Sequence, residues 1–201
     1  MKDNKKIHKD KFKFTGKVTR RLLDSEGKVI EEYHNENLIV NSGKNRLIRN
    51  VVDGTRVKLV GCMIGRDTNT PMNINNNAGW IPNPPKPTDT LATITGDGLR
   101  NPRQQAFNKI EYLDIEGNSL GYKTDSEETM PMGRWKDVFA VRYHILFKST
   151  DVDMIVNSVG MVMNADAKTP ENLFSKHTFP WMYLKADRGY SLEIMRTFEI
   201  M

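Results

Sequence analysis

Four histidines, one cysteine and a scatter of carboxylates are the groups in this 201-residue sequence that could carry chemistry. His8, His34, His144 and His177 stand far apart, and none meets another ligand type at a metal-binding spacing, so no zinc site is expected. Asp67-Thr68-Asn69 follows Gly65 with oxygen ligands to offer, but the spacing of a calcium loop is missing. Asp151 and Asp153 share a parity, and Glu127 and Glu128 are adjacent. Both pairs fall at loop positions, whereas glycoside cleavage needs two carboxylates facing one another. No nucleophile elbow, Walker-type loop or dinucleotide fingerprint is expected. The expectation is a protein that is not an enzyme, with no catalytic, cofactor-binding or metal-binding residues.

Charge suggests contact instead. The net charge is +5, with Lys2, Lys5, Lys6, Lys9, Lys11 and Lys13 crowded at the start and mixed signs elsewhere. Residues 1–11 therefore read as a basic arm, and 12–201 as one β-sandwich domain. Such an arm suits assembly or solubility first, and nucleic acid second. Phe139, Tyr143 and Phe147 could stack on bases, but their alternation is also what core packing produces. Cys62 lies in the apolar run Val60-Gly61-Cys62-Met63-Ile64, as a buried thiol does, and a lone cysteine points to synthesis in a reducing compartment. The charged amino terminus is unlike a signal peptide, and no apolar stretch reaches membrane-spanning length, so no membrane contact is expected.

The elements that would position these residues are mostly strands. Phe12, Phe14, Val18 and Leu22 share one parity, Asp24-Ser25-Glu26-Gly27 supplies a turn, and Val29 and Tyr33 resume the alternation, which predicts a hairpin. Ser42 is placed to cap a helix from about Gly43 to Asp53, with Leu47, Ile48, Val51 and Val52 as its apolar stripe and Gly54 as its stop. A buried strand ending at Gly65 follows. Further strands are expected over Ala106–Ile115, around Leu120–Tyr122, over Phe139–Phe147 and Val152–Met163, at Trp181–Tyr183, and from Leu192 to the end. Asn164–Thr178 reads as a connection with one helical turn near Pro170. About eight strands with regular turns predict a mainly β fold, an antiparallel, jelly-roll-like β-sandwich with one short helix and a long irregular insertion.

That insertion is the extended loop at about 66–98. Asn73, Asn75, Asn76 and Asn77 lead into Gly79-Trp80-Ile81-Pro82-Asn83-Pro84-Pro85-Lys86-Pro87. Four prolines so close together exclude helix and central strand and favour an extended path. Trp80 can pack on a neighbouring subunit or back on its own domain. Lys5, Lys6, Lys9 and Lys11 of the arm, with Trp80, Ile81, Pro82, Pro84 and Pro85 of the loop, are the expected subunit contacts.

Three stretches taken together resemble the small virion proteins of tailed bacteriophages found among tail, fibre-associated and neck components. The first is the hairpin with Asn37-Leu38-Ile39-Val40-Asn41-Ser42-Gly43 and its short helix. The second is Met63-Ile64-Gly65-Arg66-Asp67 with Pro87-Thr88-Asp89-Thr90-Leu91. The third is the run of Val138–Phe147, Ile155–Met163, Phe174–Phe179 and Tyr190–Ile194. The Asn/Pro-rich stretch between Asp67 and Thr88 departs from that pattern and reads as an insertion. The resemblance implies a structural role, a β-sandwich, synthesis in the host cytoplasm and residence in the virion tail or neck. Its implied partners are copies of the same chain in a ring or symmetric hub and other tail or neck proteins, with heterologous contacts closing the ring. A nucleic-acid-binding β domain and a carbohydrate- or receptor-binding module with Trp80, Trp135 and Trp181 as platforms are the alternative readings.

Overall fold

The computed structural model describes residues 14–68, 83–98, 100–129, 133–164, 169–184 and 186–200. Lys5, Lys6, Lys9, Lys11, Trp80, Ile81 and Pro82 lie outside them. Two antiparallel sheets face one another. The first runs β2 (Val29–Glu36), β1 (Phe14–Leu23), β12 (Ser191–Ile200), β9 (Ala140–Lys148), β7 (Lys109–Leu113), β8 (Ser119–Lys123). The second runs β3 (Leu38–Ile39), β11 (Leu173–Leu184), β10 (Met154–Met163), β4 (Leu59–Asp67), β5 (Ile94–Thr95), and β6 (Arg103–Gln105) also pairs with β4. The sandwich expected from the alternation is present.

Its core lies between the sheets. Val18, Ile145, Phe147, Leu192, Ile194 and Phe198 of the first meet Cys62, Ile64, Val156, Val159, Met161 and Phe174 of the second. Each such side chain contributes about 1.5–3 kcal/mol when buried. Phe14 stacks on Phe198 at 5.6 Å between centroids, and Phe174 meets Phe198 edge-on at 5.3 Å. The β1–β2 hairpin forms as expected, with Gly27 at φ 81° in its turn. The closing strand is also paired, Phe14 opposite Ile200 and Leu23 opposite Ser191.

Several boundaries are corrected. Helix α1 spans Asn41–Asp53, with Val40 at its cap position. Ser42 does not cap it; its hydroxyl donates to the Leu173 carbonyl at 2.6 Å, a tertiary bond that outcompetes the local one. Gly54 does end the helix, at φ 70°. Val152 belongs to a four-residue helix α2 (Ser149–Val152), so β10 starts at Met154. Among the described residues the strands number twelve, against about eight expected.

The stretch expected to connect as far as Thr178 is largely strand, because β11 begins at Leu173. Its alternation is hidden by register shifts against β10, between Val156 and Ser158 and between Met161 and Val162. Polar Lys176 and His177 sit at buried positions within it, which breaks the apolar pattern further.

The expected irregular stretch is also partly ordered structure. Arg66 and Asp67 continue β4, and a 3₁₀ turn at Leu91–Thr93 leads into β5. This covering segment buries a second cluster, Val40, Met63, Leu91, Ile94, Val162 and Leu173, on the outer side of the second sheet. Lys176 Nζ pins it there, 2.6 Å from Asp67 Oδ1 and 3.1 Å from Asp89 Oδ2.

Candidate interaction surface

Helix α1 presents the largest departure from the expected burial. Gly43 sits against the Phe174 carbonyl so closely that a Cβ would collide with it, which seats the first turn flush on β11. Leu47 packs partly on the core. The rest of the apolar stripe does not: Ile48 is 62%, Val51 87% and Val52 78% exposed. The seated turn fixes the helix at its start, and the last two turns carry their apolar residues out over solvent.

A groove of about 620 Å³ runs beside this helix, with Phe14, Leu38, Ile39, Leu47 and Ile48 among its walls and Lys17, Lys44, Glu36 and Glu199 at its rim. Asn37 also lines it; its amide lies over Gly16, and its buried Oδ1 and Nδ2 have no hydrogen-bond partner among the described residues. A second groove of about 260 Å³ touches Leu47, Val57, Leu59 and Phe139. Apolar walls with charged side chains at the rim suit a chain segment that brings apolar side chains.

Of the expected contact residues, Pro84 and Pro85 are described. They line a cleft of about 430 Å³ with Asn35, Glu36, His177, Thr178 and Pro180, and the Thr178 hydroxyl donates to the Asn83 carbonyl at 2.8 Å. This end of the loop therefore packs back on its own chain, leaving the exposed Pro84 as the outward part. Ile48, Val51 and Val52 were readable as an apolar stripe, but the stripe alone could not say that it stays uncovered. Trp181 and Tyr183 on β11, and Trp135 beside Tyr112, are exposed as well.

The other chemistry-bearing residues are engaged structurally. Asp67, whose stretch offered oxygen ligands without the spacing of a calcium loop, is a strand residue whose carboxylate meets Lys176. Glu127 accepts from the Tyr122 hydroxyl, Glu128 pairs with Lys123, and Asp153 pairs with Arg100. Glu111 is partly desolvated, yet hydrogen bonds from Lys109 and His144 hold its carboxyl below the usual range. Gly117-Asn118-Ser119-Leu120-Gly121 matches the Gly-x-Ser-x-Gly string, although no nucleophile elbow was expected. It runs from the end of the β7–β8 hairpin turn into β8, with Ser119 Oγ directed to the Gly121 carbonyl, rather than through the strand-to-helix turn a nucleophile elbow requires.

The interior carries unusual charge. Arg196 of β12 is fully buried between the sheets; Nη2 donates to the Val159 carbonyl at 2.9 Å, while Nε and Nη1 have no partner among the described residues. Burial pushes its guanidinium down to about 10, and burial likewise lifts the Cys62 thiol to about 12. Arg20, also buried, pairs with Glu31 at 2.6 Å and lies over the Tyr33 and Phe179 rings.

His177 lies close enough to this charge to feel it. Burial first, then the charges of Arg196 and Arg20, lower its imidazole from 6.5 to about 3. The unfolded chain therefore takes up this proton before the folded one does. Its contribution is intact above the ordinary value and drains as pH falls toward the lowered one. Between neutrality and about pH 4.5, His177 is expected to cost about 2–3 kcal/mol of stability. Urea unfolding at both pH values should show His177→Gln losing markedly less; an equal loss in both proteins would contradict the assignment.

Comparison with protein-family models, curated proteins and solved structures finds no match for the chain.

Proposed function

We propose that the chain is a non-enzymatic structural subunit of a tailed-bacteriophage tail or neck, a ring, adaptor or fibre-attachment component. It joins copies of itself in a ring or symmetric hub and meets other tail or neck proteins. The phage setting rests on the resemblance of the three stretches quoted above. The assembly role rests on one observation, the exposed Ile48, Val51 and Val52 face of α1 beside its apolar groove. Water-exposed aliphatic side chains grouped on one helix face mark a contact site, and the occupant we assign is a second copy of this chain.

The test is native mass as a function of concentration. The wild-type protein should form oligomers, and Val51→Glu with Val52→Glu should shift them toward monomer, with the far-ultraviolet spectrum unchanged. A charge buried in such a contact costs several kcal/mol unless paired, so the shift should be at least tenfold in dissociation constant, about 1.4 kcal/mol. Wild-type protein that stays monomeric at every concentration would count against self-assembly, as would a charged variant that assembles equally well. Finding the chain in purified particles tests the virion setting separately.

A receptor- or glycan-binding module is the second reading, favoured by the exposure of Trp135 and Trp181. Trp181→Ala should abolish glycan retention under it and leave self-association untouched.

A further inference from the structure

Lys176, Asp67 and Asp89 form a dry cluster on the outer side of the second sheet. Lys176 starts on β11, passes over the intervening β10, and ends between Asp67 at the end of β4 and Asp89 of the covering segment. Its Nζ stands 2.6 Å from Asp67 Oδ1, 3.1 Å from Asp89 Oδ2 and 2.8 Å from Thr93 Oγ1. None of the three charged side chains is more than 3% exposed. Gly160 lies opposite Lys176 in register, and a Cβ there would come within 2.6 Å of Leu173 and Ile94. The bare backbone at that position lets the covering segment sit down tightly on the sheet.

We propose that this cluster is a modification site, at which Lys176 and Asp67 condense into an intramolecular isopeptide bond with Asp89 carrying the proton between steps. The ammonium of Lys176 gives one proton to the Asp67 carboxylate, which leaves a neutral amine against a carboxylic acid. The nitrogen lone pair forms a bond to Asp67 Cγ. Asp89 accepts the second proton from nitrogen and delivers it to the departing hydroxyl, the C–O bond breaks, and one water leaves. The three hydrogens of the ammonium become one amide hydrogen and two of that water, charge is conserved, and Asp89 ends as it began. Nothing is oxidised or reduced.

Three features favour this over an ordinary ion pair. The nucleophile and electrophile are held in contact by two strands, so the loss of freedom that slows a bimolecular condensation is already met by folding. A dry site removes the water that would compete and that would hydrolyse the product. A second carboxylate within reach of the same nitrogen supplies general acid and base in turn, and the backbone N–H of Lys86, 2.9 Å from Asp89 Oδ2, fixes its orientation. The product ties β4 to β11 over β10, across a sequence separation of 109.

Intact-mass spectrometry of the denatured wild-type chain is the direct test. The expected mass is one water below that of the purified sequence, and a protease digest should yield a branched peptide joining Lys176 to Asp67. Lys176→Arg and Asp67→Ala should each restore the full mass, and Asp89→Asn should leave most of the chains unlinked. A wild-type chain of full mass overturns the proposal whether or not any variant folds. So does a missing water mapped to a cyclic imide at Asp53-Gly54 or Asp97-Gly98. A branch from Lys176 to Asp89, or full linkage in Asp89→Asn, overturns the roles assigned to the two carboxylates.

Discussion

Lys176→Met is expected to lower folding stability by about 3–5 kcal/mol, because it removes the cation that offsets two carboxylates in a site from which water is excluded. Asp67 and Asp89 both face Nζ at ion-pair distance, and the covering segment above them buries Leu91 and Ile94 against the sheet. Without the ammonium, the like charges repel and the segment has to lift for water to reach them. The loss includes any covalent tie that Lys176 makes. Urea midpoints report the total, and amide exchange at Leu91–Thr95 should rise more than exchange in β1 or β12. A midpoint within error of wild type would mean that the carboxylates find other partners.

Arg196→Met is expected to act in the opposite direction, raising stability by about 1–4 kcal/mol. Its guanidinium lies between the sheets beside Cys62 and Val159, with a single hydrogen bond to a carbonyl and no carboxylate bonded to it among the described residues. Burying a cation costs more than one such bond returns. Methionine fills similar volume without charge and adapts to an irregular cavity. The same change removes a positive neighbour of His177, so the variant should also resist acid better than wild type. A fall in the urea midpoint would show that the guanidinium holds a partner worth more than its desolvation.

Most of the sandwich was legible in the sequence. The hairpin over Phe14–Glu36, the alternation of β9 and the closing strand follow from period-two patterns that burial on one face imposes. What escaped was set by tertiary contacts. β11 looked like a connection because its pairing with β10 is twice irregular, the second shift changing its parity, and because Lys176 and His177 are buried by partners distant in sequence. Ser42 looked like a cap because its bond to Leu173 O joins segments 131 residues apart. Of the candidate contacts, Pro84 and Pro85 lie where the loop returns to its own chain, and their cleft with His177 and Thr178 could not be read from composition. The helix stripe was readable as apolar, but its exposure depends on how Gly43 seats the helix.

The pairing of β1 with β12 has a consequence for synthesis on the ribosome. β12 fills the position between β1 and β9, so the first sheet cannot zip shut until Ser191–Ile200 has been translated and released from the exit tunnel. Until then a nascent chain displays two facing, unfilled strand edges. Each is a template for a foreign strand or for the β12 of another molecule. Exchange of β12 between neighbouring nascent chains would produce interlocked dimers with every native pairing intact, and slowing translation just before Ser191 is the condition under which such entanglement should rise.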